Sequence, residues 1–382
     1  MEKRNNNLLP GTILSTHNGR LLISSGVTSL DSLLGTYITI SLQFPFKLGT
    51  YIISGGGIPV GSVVLVEEDF RGLHSKVLLK YFLAEGLISK HSVLIASQDV
   101  NPYIIVKELP AVIETDPEPD NINKGPTVSD KMKIAFRYQN LLSNDDLSKT
   151  RNIAHHFDLS KNISLGDIEN LDINYWTGQR IETGLNTFIN PAYNDLLKSI
   201  KNKIKDGKFF LKDNPEKKTV LRIGIHSLGS PMWLPCKKST YSIKDNSQDL
   251  HKFLFCLRTL IRSAHAVAFV TIPSYLYDEE SLDRCIHCSD VAIKLQSFSG
   301  TDLEHNQSLK DYQGFFYLTK LGAINSLISK HPGSIEFVFK LKRKKFLIDV
   351  LHLPPDIGDN LYQRNDSTSL SCGGSNRRLL EF

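Results

Sequence analysis

A run of Gly-Gly-Gly-Ile-Pro-Val-Gly (55–61) leads into the valine-rich stretch Ser62–Val66, then a turn, then a helical pattern from about Lys76. Strand, turn and helix in that order are the frame in which doubly wound ATPases hold a triphosphate. Their loop reads G-x-x-x-x-G-K-[ST]. Backbone N–H groups cradle the phosphates, the lysine neutralises them, and the hydroxyl holds Mg²⁺. Aligned on Ser75 as that hydroxyl, the loop here reads Glu68-Asp69-Phe70-Arg71-Gly72-Leu73-His74-Ser75. Glu68 stands in for the first glycine, Leu73 for the second and His74 for the lysine. Glu67, Glu68 and Asp69 place negative charge where the anion would sit. Leu73 lacks the φ freedom of glycine, neutral His74 compensates charge weakly, and Lys76 comes two residues late. The competing reading is an ordinary connection whose acids favour a helix N-terminus.

The second half of such a site is an apolar strand ending in an acid that positions Mg²⁺ and water. The corresponding strand runs Leu221-Arg222-Ile223-Gly224-Ile225-His226-Ser227-Leu228. His226 or Ser227 occupies the acidic position, so both halves of the metal–nucleotide site are degraded together. Other candidates are thin. Cys285-Ile-His-Cys288 has half the spacing of a zinc site without a second pair, and reads as partly buried free thiols rather than metal ligands. His155-His156 reads as solvated loop. The densest basic cluster is Lys340, Lys342, Arg343, Lys344 and Lys345. It fits either a solvated hairpin at a sheet edge, where lysines deter aggregation, or phosphate contacts to RNA. No aromatic residues interleave it, so base stacking is not suggested. A second basic run from Lys198 to Lys212 reads as an outer helix face and a linker.

The elements that must carry these residues alternate. Ser92–Ala96, Val220–Ile225, Ala266–Ile272 and Val291–Leu295 read as buried strands. Between them lie helical patterns, one from Val77 to Gly86 and one through Leu250, Phe253, Leu254, Leu257, Ile261 and Ala264. That alternation predicts a parallel sheet flanked by helices. Phe315–Leu318, Ile335–Lys342 and Lys345–Leu353 suggest an antiparallel edge. One α/β domain over about 11–357 is expected, between loose tails at 1–10 and 358–382, with a solvated acidic, proline-rich loop at 110–130. Leu34-Gly-Thr-Tyr-Ile38 is echoed as Leu48-Gly-Thr-Tyr-Ile52, too little for a repeat architecture.

The 382 residues carry 45 Lys+Arg against 40 Asp+Glu, a net charge of +5 that tolerates an RNA partner without requiring one. Five cysteines in this length suit a reducing compartment. The polar start and the lack of a long apolar run predict a soluble, intracellular protein with no membrane contact.

Several segments together resemble a known family, the fourth subunit of Elongator (PAXNEB-type). They are Ser29–Gly35, Gly56–Gly61, Leu79–Gly86, Lys133–Asn140, Leu221–Pro231, Thr271–Ser274 and Phe339–Pro355. The resemblance spans about residues 11–357 in order. It implies a RecA-like fold with a degenerate phosphate loop and no cofactor. It also implies assembly with the fifth and sixth Elongator subunits into a hetero-hexameric ring. That ring would bind tRNA for wobble-uridine modification, in cytoplasm and nucleus, with the chemistry in another subunit. This chain departs from the family between Thr36 and Ser54, which read either as a surface hairpin or as translated non-coding sequence. Three functions therefore compete: a non-catalytic ring subunit that binds tRNA, with Lys342, Arg343, Lys344 and Lys345 as RNA-binding candidates; an ATPase with an atypical loop; and a purely structural scaffold.

Overall fold

In the computed structural model, the described residues are 9–15, 19–35, 37–38, 51–52, 56–113, 154–164, 166, 171–178, 188–213, 219–234, 243–306, 309–322 and 336–351. The expectations for Lys133–Asn140, for both tails up to residue 8 and beyond 351, and for most of 36–54 and 110–130 lie outside them.

Strands in chain order are β1 (Thr12–Leu14), β2 (Leu21–Ile23), β3 (Tyr37–Ile38), β4 (Tyr51–Ile52), β5 (Ile58–Pro59), β6 (Val63–Glu67), β7 (Ser92–Ala96) and β8 (Pro110–Val112). They continue as β9 (Phe157–Asn162), β10 (Ile173–Trp176), β11 (Leu221–Ile225), β12 (Ala266–Ile272), β13 (Val291–Ser297), β14 (Gly314–Lys320), β15 (Phe337–Leu341) and β16 (Phe346–Val350). The helices are α1 (Thr28–Leu34), α2 (Leu73–Ile88), α3 (Pro102–Lys107), α4 (Pro191–Asp206), α5 (Ile243–Arg262) and α6 (Glu279–Cys288).

Nine strands form one sheet in the order β10-β7-β11-β12-β6-β13-β14-β15-β16. The six from β10 to β13 run parallel, and β14, β15 and β16 close the far edge antiparallel. Renumbered within the sheet, the order is 3-2-4-5-1-6-7-8-9, the RecA-like arrangement. The central strands are buried on both faces, which is why β6, β7, β11 and β12 read as continuous apolar runs rather than alternating ones. One core packs α1 and α2 against one face, around Leu79, Phe82, Leu83 and Phe269. The other packs α4, α5 and α6 against the opposite face, around Tyr193, Leu196, Phe253 and Ile272.

Three local expectations change. Leu9 is buried and the Pro10 carbonyl lies 2.7 Å from His91 Nε2, so the chain is anchored before residue 11. Pro110–Val112 is not loop but pairs antiparallel with β9. His155 is not a freely solvated residue: its Nδ1 lies 2.9 Å from Oε1 of the fully buried Glu85, and its N–H donates to Oε2. The echoed Tyr-Ile pairs face each other as β3 and β4, with Tyr37 opposite Ile52 and Ile38 opposite Tyr51.

Candidate functional site

The loop between β6 and α2 opens at the carboxyl edge of the parallel strands, where ligands of α/β sheets bind. Its backbone is fastened to β12: Glu68 N–H donates to Ile272 O at 2.8 Å, and Ser274 Oγ donates to Glu68 O at 3.1 Å. A turn from Asp69 O to Gly72 N–H, 2.7 Å, brings Gly72 to φ 61°, a left-handed conformation suited to glycine. Ser75 Oγ donates to Gly72 O at 3.2 Å.

The Glu68 side chain turns inward rather than toward solvent at the helix end. Its carboxylate accepts from Thr271 Oγ1 at 2.6 Å and Ser227 Oγ at 3.3 Å, at the tips of β12 and β11. A Cβ built on Gly72 would lie 3.3 Å from Glu68 Oε2, so this carboxylate sits beneath the loop's own turn. Burial is the main reason that its pKa is pushed up to about 7, against the two hydroxyl hydrogen bonds, with Asp99 and Asp69 adding repulsion. Among the described residues no cation offsets it. Asp69 behaves differently. Burial would raise its pKa, but His74 Nδ1 at 3.1 Å and the His74 N–H at 3.3 Å hold it below the usual carboxylate range. Of the three acids, only Asp69 serves the helix start in the way the dipole argument expects.

His226 and Ser227 diverge. Ser227 faces Glu68 and takes φ 51°, unusual for a residue with a side chain, with its N–H held by Thr271 Oγ1 at 2.8 Å. His226 points toward β7, with Nδ1 3.2 Å from Ser97 Oγ; burial first, then Lys76 and Lys80, drive its pKa down to about 4. Lys76 does not reach back over the loop. It and Lys80 meet Glu108 at 3.5 and 2.8 Å. The described residues therefore supply a buried carboxyl, two hydroxyls and a neutral imidazole, and no cation aimed at a phosphate. Among them, no three His, Cys, Asp or Glu side chains converge as metal ligands. Cys285 is buried, its thiol pushed up to about 12 chiefly by desolvation.

The basic cluster occupies the turn between β15 and β16. Lys342, Arg343, Lys344 and Lys345 are all exposed. Lys342 N–H donates to Lys345 O at 2.9 Å, and Leu159 N–H donates to Lys344 O at 2.8 Å, so the tip is clipped to β9. Lys340 lies apart from them, 3.9 Å from Asp311 and over the Tyr312 ring at 5.5 Å. Register places the tip at the carboxyl edge too: Ser297 of β13 pairs Gly314, which pairs Phe339 of β15. The Phe339 and His74 rings lie 4.6 Å apart, joining this hairpin to the first turn of α2. Sequence reasoning missed two residues here. Thr271 sits inside an apolar strand with no motif to mark it, and Phe70 stands 79% exposed at the tip of the degenerate loop.

The strand order and the loop together define a RecA-like domain whose phosphate-binding turn is occupied by its own glutamate. Residues 50–382 match the PAXNEB protein family, and the chain belongs to that family. It is 38% identical to a Danio rerio protein named Elongator complex protein 4, over 96% of this chain and 89% of that one. The human protein of the same name is 36% identical, over 97% of this chain and 85% of its own length. The Dictyostelium discoideum protein is 30% identical, over 94% and 81%. Among solved structures, a helicase ATPase domain is similar with a TM-score of 0.41 at 12% identity, covering 75% of this chain and 84% of that one. No helix among the described residues is long and apolar enough to cross a membrane.

Proposed function

We propose that this chain is a non-catalytic subunit of Elongator, held with the fifth and sixth subunits in a hetero-hexameric ring that binds tRNA for wobble-uridine modification. The observation that carries the non-catalytic part is Glu68. A carboxylate bonded to Thr271 and Ser227 beneath Gly72 occupies and charges the place a phosphate would need. Family membership and the names of the relatives support the assembly. The exposed hairpin tip, Lys342 to Lys345, supplies positive surface for RNA phosphates. On this reading the RecA-like domain covers about 11–357, and the protein works in cytoplasm and nucleus.

Equilibrium dialysis of the full chain with ATP and Mg²⁺ is expected to show no retention. Micromolar affinity lost on Ser75→Ala would overturn the pseudo-ATPase reading. Charge reversal at Lys342, Arg343, Lys344 and Lys345 should weaken tRNA binding by the intact ring irrespective of sequence. Each contact removed should lower the slope of log affinity against log salt by roughly 0.7 to 0.9. Unchanged affinity and slope would leave the scaffold reading in its place.

A further inference from the structure

The sequence around the basic cluster contains no interleaved aromatic residues, yet the fold brings two to the same sheet edge from elsewhere. Phe70, from the loop after β6, is 79% exposed, and Tyr275, from the turn after β12, is 52% exposed. Their ring centroids lie 5.4 Å apart at 59°, so the rings brace each other while the Phe70 face stays open to solvent. Three strand positions separate β6 from β15, about 15 Å at the usual strand spacing. Asp69, His74 and Phe339 form a continuous bridge of contacts across that gap. Exposed Arg71 beside Phe70 adds a cation at the aromatic end.

We infer that Phe70 and Tyr275 form a stacking platform for unpaired bases of an RNA strand whose phosphates run over Lys342–Lys345. The inference rests on the RNA-binding reading above and goes beyond it by assigning base contact to residues outside the basic cluster. An aromatic face accepts any base, and a basic track beside it follows the backbone, the two parts from which single-strand sites are built. Charge complementarity selects the occupant: four successive cations at one end suit a polyanion, whereas a purely apolar protein neighbour would find no use for them.

The test compares a short oligouridylate with an abasic ribose-phosphate oligomer of equal length, against the full chain in its reconstituted ring. Base stacking predicts about 5- to 150-fold tighter binding of the oligouridylate. Phe70→Ala with Tyr275→Ala should abolish that gap, leaving abasic affinity and salt slope unchanged. Phe70→Trp should keep the gap, and Phe70→Leu, apolar but without a ring, should lose most of it. A gap that survives the double alanine variant overturns the inference. So does a Phe70→Leu ring that binds as the parent, or a double variant whose only defect is ring assembly by size exclusion, which would mark a protein contact. If both oligomers fail to bind and hairpin charge reversal changes nothing, the RNA reading itself falls. If charge reversal matters but the parent shows no gap, only the stacking platform falls.

Discussion

Two buried acids sit at opposite ends of the same strands and are treated in opposite ways. Asp290, just before β13, accepts from Arg258 and Arg262 at 2.9 and 2.6 Å and from the Val63 N–H at 3.0 Å. Glu68, just after β6, has only two hydroxyl donors and a pKa raised to about 7. The first is a paired structural charge that ties the start of β6 to α5. The second is uncompensated, and burial without a cation shifts the proton rather than the fold. A carboxyl retained where it costs stability, at the one edge suited to ligands, is what remains when a phosphate loop is closed from within.

Removing each acid should separate the two roles. Asp290→Ala leaves two guanidiniums and a backbone N–H without their partner. It should cost about 3 kcal/mol by chemical denaturation, the low end for a broken buried pair because both arginines reach water. Glu68→Gln should act in reverse. The folded pKa of about 7 lies above the ordinary 4.5. The folded state therefore binds the extra proton between those values, and stability falls as pH rises through that window. At pH 8 the glutamine variant should be more stable than the parent by up to ~3 kcal/mol, an advantage that vanishes near pH 4.5. Neutral His91 and His226 act in the other direction, destabilising below about pH 6.5 as they resist protonation, so the difference between variants is the quantity to measure. A parent and variant with parallel pH profiles would show that Glu68 is compensated after all.

A smaller effect is expected at Thr271→Val, which strands the Ser227 N–H and removes a Glu68 donor. About 1–3 kcal/mol should be lost, and less of it when Glu68→Gln is already present if the two act as one network. Smallest of all, Lys344→Ala at the exposed tip should shift stability by no more than ~0.5 kcal/mol, while still lowering the salt dependence of RNA binding.

The strands of this sheet were legible because burial on both faces writes itself locally. Val63–Glu67, Ser92–Ala96 and Ala266–Ile272 are apolar runs bounded by breakers, and their limits fall within a residue of expectation. The loss of phosphate-loop chemistry was legible for the same reason, since it is a matter of residue identity at fixed spacing. What each acid does instead was not. Glu67, Glu68 and Asp69 look alike in sequence, and only partners far along the chain distinguish an inward carboxyl from a helix cap. The buried Arg222 shows the same limit. Within an apolar strand it looks misplaced, yet it stacks on Phe82 at 4.8 Å, and its guanidinium donates to His91, Ser24 O and Phe82 O. Gly86 makes the room, since a Cβ there would come within 2.5 Å of the Arg222 side chain.

The central place of β6 has a consequence for synthesis. Its neighbours β12 and β13 are encoded far downstream; Glu68 and its partner Thr271 are 203 residues apart. At ~5–20 residues per second, the ribosome needs on the order of 10–40 s to deliver them. Through that interval the nascent chain carries Val63-Val64-Leu65-Val66 with both pairing edges open, a sequence apt to seek any other strand. Until β12 and β13 emerge and fill those edges, this segment depends on a chaperone holding it.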